Sequence, residues 1–282
     1  MTILSARQLN TQRDLVAQAN LYTYSQEDLG NLVTKIFPNI QSGLRAFTNF
    51  FDVSGSKAGQ SLSGSQHTFL RLMAEKSYGD ILTIGMPVPQ GLNAPYLTYI
   101  GVLEKAADFC CVDVPAMMTE YTAYLSALVT THHAMLESTN LNVQYVQKEK
   151  DRDDLTEQMA ACLNGGTVST RPIKEMVKRN KDWELVIARA DALSMRLNKV
   201  DRSELNKKIK EATDLLELLG KRVGAGELAE VSPEVIMHLS DGAWQLGKNL
   251  EFFSVVYYRA CVLNETIAAD IKHLDDCFNK RD

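Results

Sequence analysis

Apolar positions recur at three- and four-residue spacing along most of this chain, and residues that start or stop helices interrupt them. That spacing belongs to helices with one buried face, whereas half-buried strands would alternate with a period of two. "SQED" at Ser25–Asp28 opens a helix running to about Phe51, with Pro38 kinking or dividing it. A shorter helix covers His67 to about Tyr78 and leads into the loop "TIGMPVPQGLN" at 83–93. Asn93 caps a helix into Cys110, and Asp113 with Pro115 opens another through about Glu137. "NVQYVQKEKDRDDLTEQMAACLNGG" then runs helically until Gly165 and Gly166 stop it.

The punctuation sharpens towards the C-terminus. Thr170, with Pro172 in the first turn, reads as the cap of a helix carrying Ile173, Met176, Val177, Ile187, Ala190, Leu197 and Val200 largely at helical spacing. Asp201 and Glu204 have the spacing of a capping box, and their helix ends near "GKRVGAG". Ser232, Pro233 and Glu234 open a last helix that continues to about Phe278, a length of about 70 Å at 1.5 Å per residue. Trp244, Phe252, Phe253, Tyr257 and Tyr258 occupy more than one face of it, which makes that helix central to its bundle or shared with another subunit.

Strand candidates are few. "ILTIGM" and "GTVST" could form a minor hairpin or extended loop, and nothing resembles a βαβ alternation. The predicted fold is therefore all-α, with an irregular helical region followed by long antiparallel helices forming a bundle. No repeat of fixed period is evident.

Charge changes this picture by dividing the chain. Residues 1–144 carry 8 Lys/Arg and 11 Asp/Glu, while residues 145–282 carry 22 and 24. The second part is charged like solvated helices with one apolar stripe; the first has little charge with which to stay soluble, so its surface is expected to be covered. We treat 1–144 as a charge-poor helical region with contact loops and 145–282 as a long-helix bundle, which could pack as one continuous domain. The net charge of −5 argues against indiscriminate nucleic-acid binding.

Five cysteines, at 110, 111, 162, 261 and 277, form no CxxC pair and no regular set, which fits a reducing, intracellular setting. The N-terminus has no apolar core of signal-peptide length. The longest oily stretch, Leu250–Leu263, contains Glu251 and Arg259 and falls short of the roughly 20 residues a membrane span needs. It reads as buried helix.

Candidate chemistry is sparse. "SGSKAGQSLSGS" suggests a phosphate-binding loop, but Lys57 lies between Ser56 and Ala58, and no Gly-Lys-Ser/Thr occurs. A surface loop that meets a protein is the better reading, with Ser54, Lys57, Gln60 and Ser63, and Met86, Val88 and Gln90 of the 83–93 loop, as contact residues. His132 and His133, with Glu137 one turn beyond His133, point about 100° apart and do not suit one metal ion. Cys110 and Cys111, placed at a helix end, and Cys162 and Cys261 read as small core residues. No GxSxG elbow is present.

One basic bias stands out. Residues 171–210 hold 12 Lys/Arg against 6 Asp/Glu, and residues 211–282 hold 7 against 13, so neighbouring helices can neutralise one another. A nucleic-acid module on a basic helix 171–183 would need Arg171, Lys174, Lys178, Arg179 and Lys181 uncompensated, with Trp183 free to stack.

The leading expectation is a non-enzymatic helical structural or assembly protein that binds itself or protein partners, without cofactor or metal, as a subunit of a larger particle such as a virion. An enzyme with a site between helices around His132, His133 and Glu137, and the nucleic-acid module, are the alternatives. No membrane association is expected.

Overall fold

The computed structural model describes residues 64, 68, 85–87, 94–130, 138–163, 170–172, 180–225 and 233–279. The expectations for the helices at 25–51 and 67–78, and for the loop at 52–66 apart from helical Gly64, lie outside these residues, Thr68 excepted. The described part is helical: α1 (Tyr96–Asp108), a π-helical turn (Phe109–Asp113), α2 (Val114–Thr130), α3 (Ser138–Leu163), α4 (Asn180–Asn198), α5 (Arg202–Gly224) and α6 (Pro233–Asn279). Two three-residue strands, β1 (Gly85–Pro87) and β2 (Thr170–Pro172), complete it. The all-α expectation holds.

The chain forms two compact units, each assembled from three stretches: 1–53, 109–152 and 201–254 in the first, and 54–108, 153–200 and 255–282 in the second. Residues 144 and 145, where charge content changes, lie inside α3.

The first unit is built around α2, whose sequence VPAMMTEYTAYLSALVT holds one acid and no base. A helix so apolar must be covered on most sides, and Val114, Met117, Met118, Tyr121, Leu125 and Leu128 are all buried. Against it packs α5, whose buried positions Leu205, Ile209, Ala212, Leu216 and Leu219 follow the four-three spacing of a helical seam. Asp201 starts α5 as predicted: its Oδ1 accepts from the Glu204 amide at 3.0 Å, satisfying a donor that the first turn leaves unpaired. The first turns of α6 join through the Tyr121 hydroxyl, which donates to the Leu239 carbonyl at 3.0 Å, and through Phe109 set edge-on to Phe252 at 5.6 Å.

In the second unit α1 and α4 pack side by side and run parallel, since Tyr96 meets Trp183, Glu104 meets Arg189, and Asp108 meets Arg196. The later turns of α6 run antiparallel to α4, because Tyr257 donates to Asn198 and Asn264 donates to Ser194. Tyr99, Ile100, Leu103, Ile187, Leu263 and Ile267 are among its buried side chains. Burying each stabilises by about 1.5–3 kcal/mol relative to exposure.

Three sequence expectations are corrected. The helix expected to end at Cys110–Cys111 does not end; it passes through the π turn into α2. Pro115 explains the turn: it has no N–H to give the carbonyl four residues back, and its ring would collide there, so the backbone widens by one residue and goes on. Thr170 caps no helix, since Thr170–Pro172 is a strand and α4 starts only at Asn180. A proline that could open a helix serves equally at the edge of a two-stranded ladder, where its missing donor is not required. Finally, 85–87 is not loop but the partner of that strand, antiparallel with Met86 opposite Arg171. Gly85 and Met86 of one extended segment suspected from sequence, and Thr170 of the other, thus lie in the ladder, which is long-range and not a hairpin. The Pro95 carbonyl accepts from the Tyr99 amide at 3.1 Å at the start of α1, and Asn93, expected as its cap, lies outside the described residues.

The last helix has the expected extent, 47 residues from Pro233 to Asn279. Its aromatics divide: Phe252, Phe253 and Tyr257 are buried, whereas Tyr258 is 58% exposed.

Candidate functional site

The residues selected from sequence are placed only in part. Met86 in β1 and Arg171 in β2 are cross-strand neighbours, so the ladder joins one candidate from the partner-contact set with one from the basic set. Lys181 lies in the first turn of α4. Ser54, Lys57, Gln60, Ser63, Val88, Gln90, Lys174, Lys178, Arg179, His132, His133 and Glu137 lie outside the described residues. The basic helix 171–183 is corrected at its start, where 170–172 is strand, while 180–183 is helical; Trp183 is buried with its ring 5.5 Å from that of Tyr96 in an edge-on contact. A tryptophan so covered presents no face on which a base could stack.

Several buried polar groups inside the two units are paired in ways that hold helices together. In the first unit Arg152 on α3 is buried, and its Nη1 donates to Gln245 Oε1 at 3.0 Å and to Asn249 Oδ1 at 3.2 Å, both on α6. Its Nη2 lies 3.6 Å from Glu149. A buried guanidinium is tolerable only when several acceptors replace its water, and this one has them. In the second unit the Tyr96 hydroxyl donates to Asp270 Oδ2 at 2.9 Å, with both residues buried. Arg189 grips the Glu104 carboxylate with Nε, at 2.9 Å, and Nη2, and this bond raises the guanidinium pKa further above its ordinary value.

The two buried thiols point away from nucleophilic chemistry. Cys110 and Cys162 are buried, and burial pushes both thiols up, with Cys111 and Asp113 adding to the effect at Cys110. A raised thiol pKa depletes the reactive thiolate. Cys111 and Cys261 are half-buried. Burial likewise pushes the Tyr99 and Tyr124 phenols up to about 12. Among the described residues no group of three or more His, Cys, Asp or Glu side chains could hold a metal ion, and no helix is long and apolar enough to cross a membrane.

What the described surface does offer is apolar. Six large hydrophobic residues are exposed among the described residues, and four of them, Leu185, Met195, Val255 and Tyr258, belong to the second unit. On α4 they form a pattern: Leu185, Ala188, Ala192 and Met195 are all exposed and succeed one another at three-, four- and three-residue spacing. They line one side of the helix while Val186, Ile187, Ala190, Leu193 and Leu197 fill the core from the other. Sequence reasoning identified the core side and missed the outward one; the signal was present in the apolar residues of α4 that the core series leaves over. Comparison of the chain with protein-family models, with curated proteins and with solved structures finds no match.

Proposed function

We propose that this chain is a non-catalytic helical assembly protein that works by binding other subunits, in the first instance copies of itself. The observation carrying this reading is the outward apolar series on α4, joined in the same unit by exposed Val255 and Tyr258 on α6. Isolated exposed hydrophobics are ordinary on any protein, but a series at seam spacing on a helix whose opposite side is fully used in the core has no packing role among the described residues. The low charge content of residues 1–144, with 19 charged side chains against 46 in the remainder, is a second, sequence-level feature that suits a chain with contacts to make. Ser54, Lys57, Gln60, Ser63, Met86, Val88 and Gln90, all within 1–144, are the contact residues proposed for it. A subunit of a multisubunit particle such as a virion is the setting that fits both. Sedimentation velocity of untagged, reduced protein over a wide concentration range tests the reading: it predicts species heavier than the 31.4 kDa chain that grow with concentration. A single species of chain mass throughout would overturn it.

A further inference from the structure

We infer that α4 pairs with α4 of a second copy, in parallel orientation, through Leu185, Ala188, Ala192 and Met195. This rests on the self-association reading above and adds the surface and the geometry.

The spacing assigns the positions. With Leu185 and Ala192 as the first apolar position of successive heptads and Ala188 and Met195 as the fourth, the flanking positions are Glu184 and Asp191 on one side and Arg189 and Arg196 on the other. In a parallel pair, each residue preceding the first apolar position faces the residue five places on in the other helix. That sets Glu184 against Arg189 of the second copy and Asp191 against Arg196 of the second copy, and symmetry repeats both contacts. All four contacts are attractive.

The antiparallel pair fails on the same residues. It would bring Arg189 beside Arg189 of the second copy and Asp191 beside Asp191, two like-charge contacts near the centre of the seam. Charge complementarity therefore selects both the occupant, an identical helix, and its direction.

The surrounding contacts are compatible with this use. Arg189 and Arg196 are held by Glu104 and Asp108 on α1, which fixes their stems along the edge of the stripe. Each guanidinium has five donors, enough to meet a second carboxylate as well. Leu185 is 47% and Met195 54% exposed, so both retain apolar surface to bury. The two alanines between them allow the helices to approach closely. Lys199, the next position in the series and also exposed, ends the seam with a charge. About two heptads bury less than the roughly 1,000 Å² of a stable standard interface, so this contact alone is weak and gains strength by repetition in an assembly.

The test is directed cross-linking of the full chain at about 100 μM. Ala188→Cys and Ala192→Cys are made singly, oxidised mildly, and the new disulfides located by peptide mass spectrometry against the wild-type background from the native cysteines. The expected result is a symmetric disulfide at each engineered position, reduced at least fivefold when Leu185→Glu and Met195→Glu are added and circular dichroism shows the helices intact. Glu184→Lys, at an exposed position, is expected to lower cross-linking several-fold. A disulfide formed only when the Ala188→Cys and Ala192→Cys proteins are mixed would establish the antiparallel pair and overturn the inference. Absence of both cross-links while the wild-type chain still associates in sedimentation would overturn the α4 seam and leave the assembly reading standing. Absence of cross-links in a chain that stays monomeric would overturn both.

Discussion

Removing one oxygen atom from the second unit gives a sharp prediction. Tyr96→Phe deletes the hydroxyl that donates to Asp270 at 2.9 Å and leaves the ring, so the edge-on contact with Trp183 at 5.5 Å and the apolar burial are preserved. Asp270 is 3% exposed, and water cannot take the place of the lost donor at this oxygen without opening the packing. A hydrogen bond to a charged group contributes about 1.5–3 kcal/mol, and that is the expected loss of stability. The assay is urea unfolding followed by tryptophan fluorescence in a Trp244→Phe background, where Trp183, in the same unit as the altered bond, is the remaining tryptophan. In an Asp270→Asn background the acceptor is neutral, and Tyr96→Phe should then cost about 0.5–1.5 kcal/mol, leaving a coupling near 1 kcal/mol. A cost below about 0.5 kcal/mol, or the same cost in both backgrounds, would refute the argument that this bond stabilises a buried carboxylate.

Other perturbations test separate parts of the account. Arg152→Ala leaves the Gln245 and Asn249 oxygens without their buried donor and opens a cavity between α3 and α6; a loss of about 3–5 kcal/mol in equilibrium unfolding is expected, and one below 1 kcal/mol would contradict it. The Tyr124 hydroxyl is buried with no hydrogen-bond partner, so Tyr124→Phe should leave stability unchanged or raise it by up to about 1 kcal/mol in the same assay; a clear loss would reveal a hidden partner. Alkaline stability follows from Tyr99 and Tyr124, whose phenols are pushed up to about 12 from 10.0 by burial, with Arg259 opposing and Cys162 reinforcing the effect at Tyr99. Because the folded chain holds these protons more tightly, their contribution is intact below pH 10 and is lost as pH rises towards 12, at roughly 2–3 kcal/mol per tyrosine. Phenolate absorbance should show at least two late-titrating tyrosines in the folded protein, and titration of all tyrosines near 10 before unfolding would count against this.

The parts of the fold that were legible in the sequence are those where local chemistry and packing agree. Pro233 starts α6 and no further proline interrupts its 47 residues, so its extent could be read directly even though Gly242 and Gly247 lie within it. Asp201 and Glu204 announced α5 because a cap is a contact between residues three apart. Ile187, Ala190 and Leu197 were identified as core, and all three are buried. Misreadings arose where one residue type serves two structures. Pro172 suits the first turn of a helix and the edge of a ladder equally, and its partner Gly85 is 87 positions away in the chain. Pro115 breaks most helices, yet the π turn absorbs it, a choice made by the burial of Phe109 and Cys110 on one side and of Val114 and Met117 on the other. The outward stripe of α4 was missed for another reason. Leu185 and Met195 are as apolar as any core residue, and only the fold reveals which apolar residues remain outside.

The central claim is that the chain associates with itself through an apolar helix face. The most direct measurement is the absolute mass of untagged, reduced protein by light scattering over a concentration series at two salt strengths, for wild type and for the Leu185→Glu, Met195→Glu double variant. We predict a wild-type mass rising with concentration above 31.4 kDa, more steeply at low salt where the flanking charges are least screened, and a double variant shifted towards the monomer. A wild-type mass fixed at that of one chain under every condition would contradict the account.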